Sequence, residues 1–120
     1  RLAKEYLETH KDASVLREIS DLTAKDVFDA AKAGDELALE IVDTQARILG
    51  RALAQIACVV DPEIFVIGGG VSKAGSILTD SVKKYFEHYA FHACRQTKFA
   101  LAQLGNDAGI YGSACSILGR

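Results

Sequence analysis

Apolar positions recur at helical spacing over most of the chain, and at two places that rhythm gives way to short continuous apolar runs. The first twenty residues read as short helical pieces interrupted around Thr9 to Asp12, with Leu2, Tyr6, Leu7, Val15, Leu16 and Ile19 as the apolar set. A better-defined helix follows. Thr23 can cap it, Asp26 stands three residues later as in a capping box, Val27, Phe28, Ala30 and Ala31 form its inner face, and Gly34 ends it. Asp35 restarts a helix almost at once. That element, Glu36 to Val60, spans about 25 residues and so about 38 Å at 1.5 Å per residue. Val42, Ala46, Leu49, Leu53, Ile56 and Val60 define one stripe, and Leu39, Ile41, Ile48 and Ala52 widen it, which predicts burial on more than one side. Asp61 and Pro62 stop the helix, because the residue before a proline is driven out of the right-handed α region.

Ile64 to Ile67 (I-F-V-I) is short, β-branched and aromatic, the pattern of a central strand covered on both faces. Gly68, Gly69 and Gly70 end it abruptly. After a turn at Ser72 to Gly75 comes a helix carrying Ile77, Leu78, Val82, Tyr85 and Phe86. A polar connection near His92 to Gln96 leads to a second strand at Thr97 to Ala102, and a helix from about Asn106 to Leu118 closes the chain. Helices, strand, helix, strand, helix is the order of an α/β fold, helix-rich with few strands. A parallel pair alone cannot protect both faces of a sheet, so the sheet must be finished by another part of the protein or another chain. With no linker or repeat, residues 1–120 read as one piece of one domain.

Charge and cysteine content narrow the class. Fourteen basic side chains face 16 acidic ones for a net charge of −2, and no basic run supplies a footprint for nucleic acid. The apolar runs are far too short to span a bilayer. Neither nucleic acid nor membrane is therefore an expected partner. Cys58, Cys94 and Cys115 cannot pair completely, so a reduced, cytoplasmic setting is expected, with Cys58 and Cys115 acting as small hydrophobes on apolar helix faces. His88 and His92 lie four apart with Cys94 nearby, but the set lacks a third and fourth convincing ligand, and no metal site is assigned. The absence of methionine and the opening Arg1 lead us to expect a fragment of a longer protein.

The most informative stretch is D-P-E-I-F-V-I-G-G-G-V-S-K-A-G (Asp61 to Gly75). Glycines directly after a buried strand let the backbone take positive φ and approach a ligand, and amides at the following helix start can face phosphate oxygens. A nucleotide phosphate or ribose is the natural guest. The stretch is neither a dinucleotide fingerprint, since Lys73 stands where glycine or alanine is needed, nor a P-loop, since Ser76 follows Gly75. A tight strand-to-helix turn needing glycine for sterics alone is the competing reading.

A second stretch, L-A-Q-L-G-N-D-A-G-I-Y-G-S-A (Leu101 to Ala114), offers Asn106 or Asp107 as an N-cap. A face of small residues then follows at Ala108, Gly109, Gly112, Ser113 and Ala114. Glycine inside a helix costs about 1 kcal/mol relative to alanine, so two of them suggest either close packing on the sheet or a helix crossing between domains.

Together these stretches, with T-A-K-D-V-F-D-A-A-K-A-G-D-E-L-A upstream, resemble the ROK family (repressor, open reading frame, kinase), and within it the bacterial glucokinases, over most of residues 20–118. The resemblance implies part of an actin-like, ribonuclease-H-like ATPase fold, its C-terminal lobe, with ATP and Mg²⁺ in a cleft and the γ-phosphoryl passing to a hexose, usually glucose. It implies that Gly68, Gly69, Gly70, Val71 and Ser72 line the adenosine and phosphate side and that Gly109 and Gly112 lie on the helix linking the lobes. The family's phosphate-cradling first loop, catalytic carboxylate, sugar-holding groups and zinc site all lie upstream of the matched region. No catalytic residue is therefore assigned here, and the chain by itself is expected to be inactive. A homodimer is compatible with the long apolar helix. The alternatives are a sugar-responsive repressor of the same family, a kinase for another hexose such as fructose or N-acetylmannosamine, and a ligand-free helical interaction module.

Overall fold

The computed structural model describes residues 2–69 and 75–119, and of Asn106 its backbone alone. Among these residues five α-helices and two strands follow in the order α1 (Leu2–Thr9), α2 (Ala24–Lys32), α3 (Glu36–Val60), β1 (Ile64–Ile67), α4 (Ser76–Tyr89), β2 (Lys98–Leu101) and α5 (Ala108–Leu118). Among the described residues short 3₁₀ turns also occur at Val15–Glu18, His92–Cys94 and Gly105–Asp107. Among the described residues no helix is long and apolar enough to cross a membrane.

Local chemistry explains the helix boundaries. Thr23 and Asp26 form the expected capping box: the Asp26 carboxylate accepts from the Thr23 N–H at 2.9 Å, and the Thr23 hydroxyl oxygen accepts from the Asp26 N–H at 3.4 Å. Asp35 starts α3 by accepting from the Ala38 N–H at 2.9 Å. The same carboxylate also accepts from the Val15 N–H and the Ser14 hydroxyl, each at 3.0 Å, and so ties the Val15–Glu18 turn to the α2–α3 corner. Asp61 ends α3 with φ +46, in the left-handed region, while its N–H donates to the Ala57 carbonyl at 2.8 Å.

Which face of α3 is buried differs from the sequence expectation. The buried line runs through Ala38, Val42, Ala46, Gly50, Ala54 and Ala57, whereas Leu49 and Leu53 are only half-buried and Ile56 and Val60 are exposed. The cause is the closeness of α4. Its backbone passes Gly50 so tightly that only small side chains fit along the contact, and the larger apolar residues are displaced to its flanks.

Strands β1 and β2 pair in parallel, Ile64 opposite Lys98 and Ile67 opposite Leu101. Phe65 and Phe99 point to the face that α3 and α4 cover and meet the fully buried Phe86, with ring centroids 5.2 to 5.7 Å apart. Among the described residues β1 is covered on one face only: Ile64 and Val66 are 45% and 60% exposed, because both packing helices lie on one side of the sheet, which leaves the other face for the completion that the sequence leads us to expect. At the start of the strands the buried Thr97 hydroxyl donates to the Cys94 carbonyl at 2.8 Å, with the Pro62 carbonyl sharing that proton at 3.1 Å. Cys58 and Cys115 do not take the buried positions expected of small hydrophobes on apolar faces. Cys58 and Cys115 are exposed and Cys94 is buried, since Cys58 falls outside the narrow small-residue line of α3 and no residue of α5 is buried.

Candidate functional site

The two motifs singled out in the sequence converge because their strands are neighbours. The Ala102 N–H donates to the Ile67 carbonyl at 2.9 Å, so the chain leaving β2 starts beside Gly68, where the chain leaves β1. A Cβ on Gly68 would lie 3.4 Å from the Ala102 Cβ. Both the glycine turn and the Leu101–Asp107 stretch therefore sit at the carboxyl ends of parallel strands, where α/β folds bind their ligands.

Of the five residues expected to contact nucleotide, Gly68 and Gly69 are described, and Gly70, Val71 and Ser72 lie outside the described residues. Gly69 has φ +80, and a Cβ there would meet nothing within 4 Å, so the constraint is conformational and not one of space. On the far side of the turn Gly75 has φ +73 and precedes α4, whose first turn has no side-chain cap.

Gly68 also forms part of the wall of a groove of about 420 Å³. Its sides are largely apolar, with Phe28 from α2, Ile41 and Leu49 from α3, Ile67 from β1 and Leu78 from α4. Three polar side chains, Lys4, Thr23 and Gln45, also line it. The Thr23 hydroxyl donates to Asp26 at 2.6 Å; that bond, together with one from the Thr23 N–H, holds the Asp26 carboxyl below its usual pKa. Lys4 and Gln45 were not singled out from the sequence. A signal for Gln45 was present, because it stands four residues from both Ile41 and Leu49 and so places an amide on an otherwise apolar strip of α3.

Other candidates resolve differently. Asp107 occupies the N-cap position of α5 without a side-chain cap bond, because the preceding 3₁₀ turn runs straight into the helix and leaves Asp107 with helical dihedrals of φ −83 and ψ −4. Asn106, the alternative cap, has its side chain outside the described residues. On α5 a Cβ at Gly109 or Gly112 would meet nothing within 4 Å, so the small-residue face touches neither the sheet nor another helix among the described residues. The Cys94 thiol donates to the Ala57 carbonyl at 3.6 Å, and burial raises its pKa. His88 stands edge-on to Tyr89, and among the described residues no group of three His, Cys, Asp or Glu side chains is placed to hold a metal ion.

The chain resembles known proteins in sequence and in fold. A family model described as "ROK family" matches residues 5–119. The chain is 46% identical to a glucokinase of Halalkalibacterium halodurans over 116 residues, which cover 93% of this chain and 35% of that protein. A crystal structure of a putative sugar kinase from Cytophaga hutchinsonii superposes with a TM-score of 0.86 at 30% identity, covering 98% of this chain and 40% of that one. A ROK family glucokinase from Streptomyces griseus, solved in complex with glucose and AMPPNP, superposes with a TM-score of 0.83 at 32% identity, covering 95% of this chain and 39% of that one. The chain thus spans 35% to 40% of the length of these three proteins.

Proposed function

The chain belongs to the ROK family and carries part of its actin-like ATPase fold, and from that premise we propose that it is the C-terminal, nucleotide-holding portion of an ATP-dependent sugar kinase whose acceptor is a hexose, glucose first. The observation that carries this reading is the meeting of the glycine turn and the Leu101–Asp107 stretch at the carboxyl ends of β1 and β2, beside an apolar groove. Glucose and ATP are favoured as substrates by the relatives: a glucokinase at 46% identity and a glucokinase solved with glucose and AMPPNP.

The described residues fit a nucleotide. Gly69 holds a positive φ just beyond β1, and Gly68 presents no side chain to the groove it lines. In this reading Gly68, Gly69, Gly70, Val71 and Ser72 follow the adenosine and phosphate side, and the groove takes the purine base against Phe28, Ile41 and Leu78. ATP would supply the transferable phosphoryl group, and Mg²⁺ would offset the charge of its phosphates. This chain positions the nucleotide, and orientation of that kind is a large part of phosphoryl-transfer catalysis. The proton-accepting carboxylate and the sugar-holding groups come from outside residues 1–120. The reaction belongs to the cytoplasm, where ATP is available.

The test is ATP-dependent phosphorylation by the parent protein across glucose, fructose, mannose, N-acetylglucosamine and N-acetylmannosamine, with the 120-residue chain assayed beside it. Turnover strongly favouring glucose in the parent, and none in the chain alone, is expected. Sugar phosphorylation by the chain alone would overturn the division of labour, and a parent inactive on all five sugars would overturn the kinase reading.

A further inference from the structure

We propose that Gln45 selects the base, its side-chain amide pairing with the edge of a 6-aminopurine lying in the groove; this rests on the nucleotide reading above. Three polar side chains line the groove, and their commitments differ. The Thr23 hydroxyl is occupied by the capping box with Asp26. Lys4 is a donor only, and a cation cannot offer the donor and acceptor pair that a base edge requires. Gln45 has both, and among the described residues its amide has no hydrogen-bond partner.

Position supports the same residue. Gln45 lies one helical turn from Ile41 and one from Leu49, and both line the groove, so consecutive turns of α3 present an aliphatic side chain, an amide and another aliphatic side chain to one strip. A flat base packed on Ile41 and Leu49 brings its polar edge to the amide between them. The Gln45 Oε1 then accepts from the 6-amino group while Nε2 donates to N7, the two-bond match that glutamine makes with adenine. On that edge a 6-oxopurine presents only acceptors, O6 beside N7, so Oε1 faces an oxygen without a proton and the match is lost. Gly68, at the end of β1, also lines the groove, which sets the base in reach of a sugar beside that glycine.

Binding of ATP and of ITP to the parent protein, measured by calorimetric titration for the wild type, Gln45→Leu and Gln45→Ala, tests this. Gln45 is exposed, so both substitutions leave the fold intact, which circular dichroism and the urea midpoint verify. The wild type is expected to prefer ATP, and both variants to lose roughly tenfold in ATP affinity with little change for ITP, the lower range of a two-bond base contact. ATP binding with the ATP-to-ITP ratio unchanged in both variants would overturn the role of Gln45 while leaving the nucleotide reading in place. A folded wild type that binds neither nucleotide would overturn both.

Discussion

Gly50 on α3 lies directly against Tyr85 on α4: a Cβ at Gly50 would stand 2.7 Å from the Tyr85 Cβ, 2.9 Å from the Phe86 nitrogen and 2.9 Å from the Val82 carbonyl oxygen. Two of these three neighbours are backbone atoms, which cannot rotate away. Gly50→Ala is therefore expected to destabilise the fold by about 2 kcal/mol, overpacking outweighing the gain in helix propensity. Gly109→Ala on the exposed α5 is the control, since a Cβ there meets nothing within 4 Å; it is expected to be neutral or to stabilise by up to about 1 kcal/mol. Urea denaturation of both variants checks the pair.

Phe86 is the joint between the helical layer and the sheet. It is fully buried and meets Phe65 of β1 and Phe99 of β2 edge-on. Phe86→Ala removes the ring that both strands share and should cost about 3 to 5 kcal/mol. Amide exchange is expected to accelerate in β1 and β2 more than in α2, whose contacts lie with α3.

Much of this arrangement was legible in the chain, and the exceptions share a cause. The limits of α3 follow from Asp35 and from Asp61–Pro62, and β1 from its four-residue apolar run, because caps, prolines and strand runs act locally. The buried stripe of α3 was displaced by about one residue, from Leu49 and Leu53 to Gly50 and Ala54. Periodicity weights large apolar side chains, whereas a close helix pair selects small ones. The open face of β1, the exposure of Cys58 and the amide of Gln45 in the groove likewise depend on which elements become neighbours, and no local rule encodes that.

Asp35 gives the fold a defined acid sensitivity. Partial burial opposes its charge, but hydrogen bonds from the Ala38 and Val15 amides and the Ser14 hydroxyl outweigh that and hold its carboxyl below the usual range. A carboxyl with a depressed folded-state pKa contributes stability that is complete above the unfolded value near 4 and disappears as pH falls through the folded value. Asp35→Asn should therefore lower the urea midpoint at pH 7, and the gap between variant and wild type should narrow as the pH approaches 3.

Gly69 separates a steric turn from a binding turn. With φ +80, a β-branched replacement is strained by about 1 to 3 kcal/mol. Gly69→Val is expected to lower stability and also to weaken ATP binding beyond what the unfolded fraction accounts for, measured by calorimetry at a temperature where the variant remains folded. An effect on stability alone would assign the glycine to sterics.

The most direct measurement is an amide-resolved NMR titration of the chain with ATP and Mg²⁺. The account predicts saturable shifts concentrated at Ile67 to Gly69, at Ala102 to Gly105 and along the groove at Ile41, Gln45 and Leu78. Shifts confined to the opposite end of the strands, around Pro62 and Thr97, or no shifts from a folded chain at millimolar ATP, would contradict it.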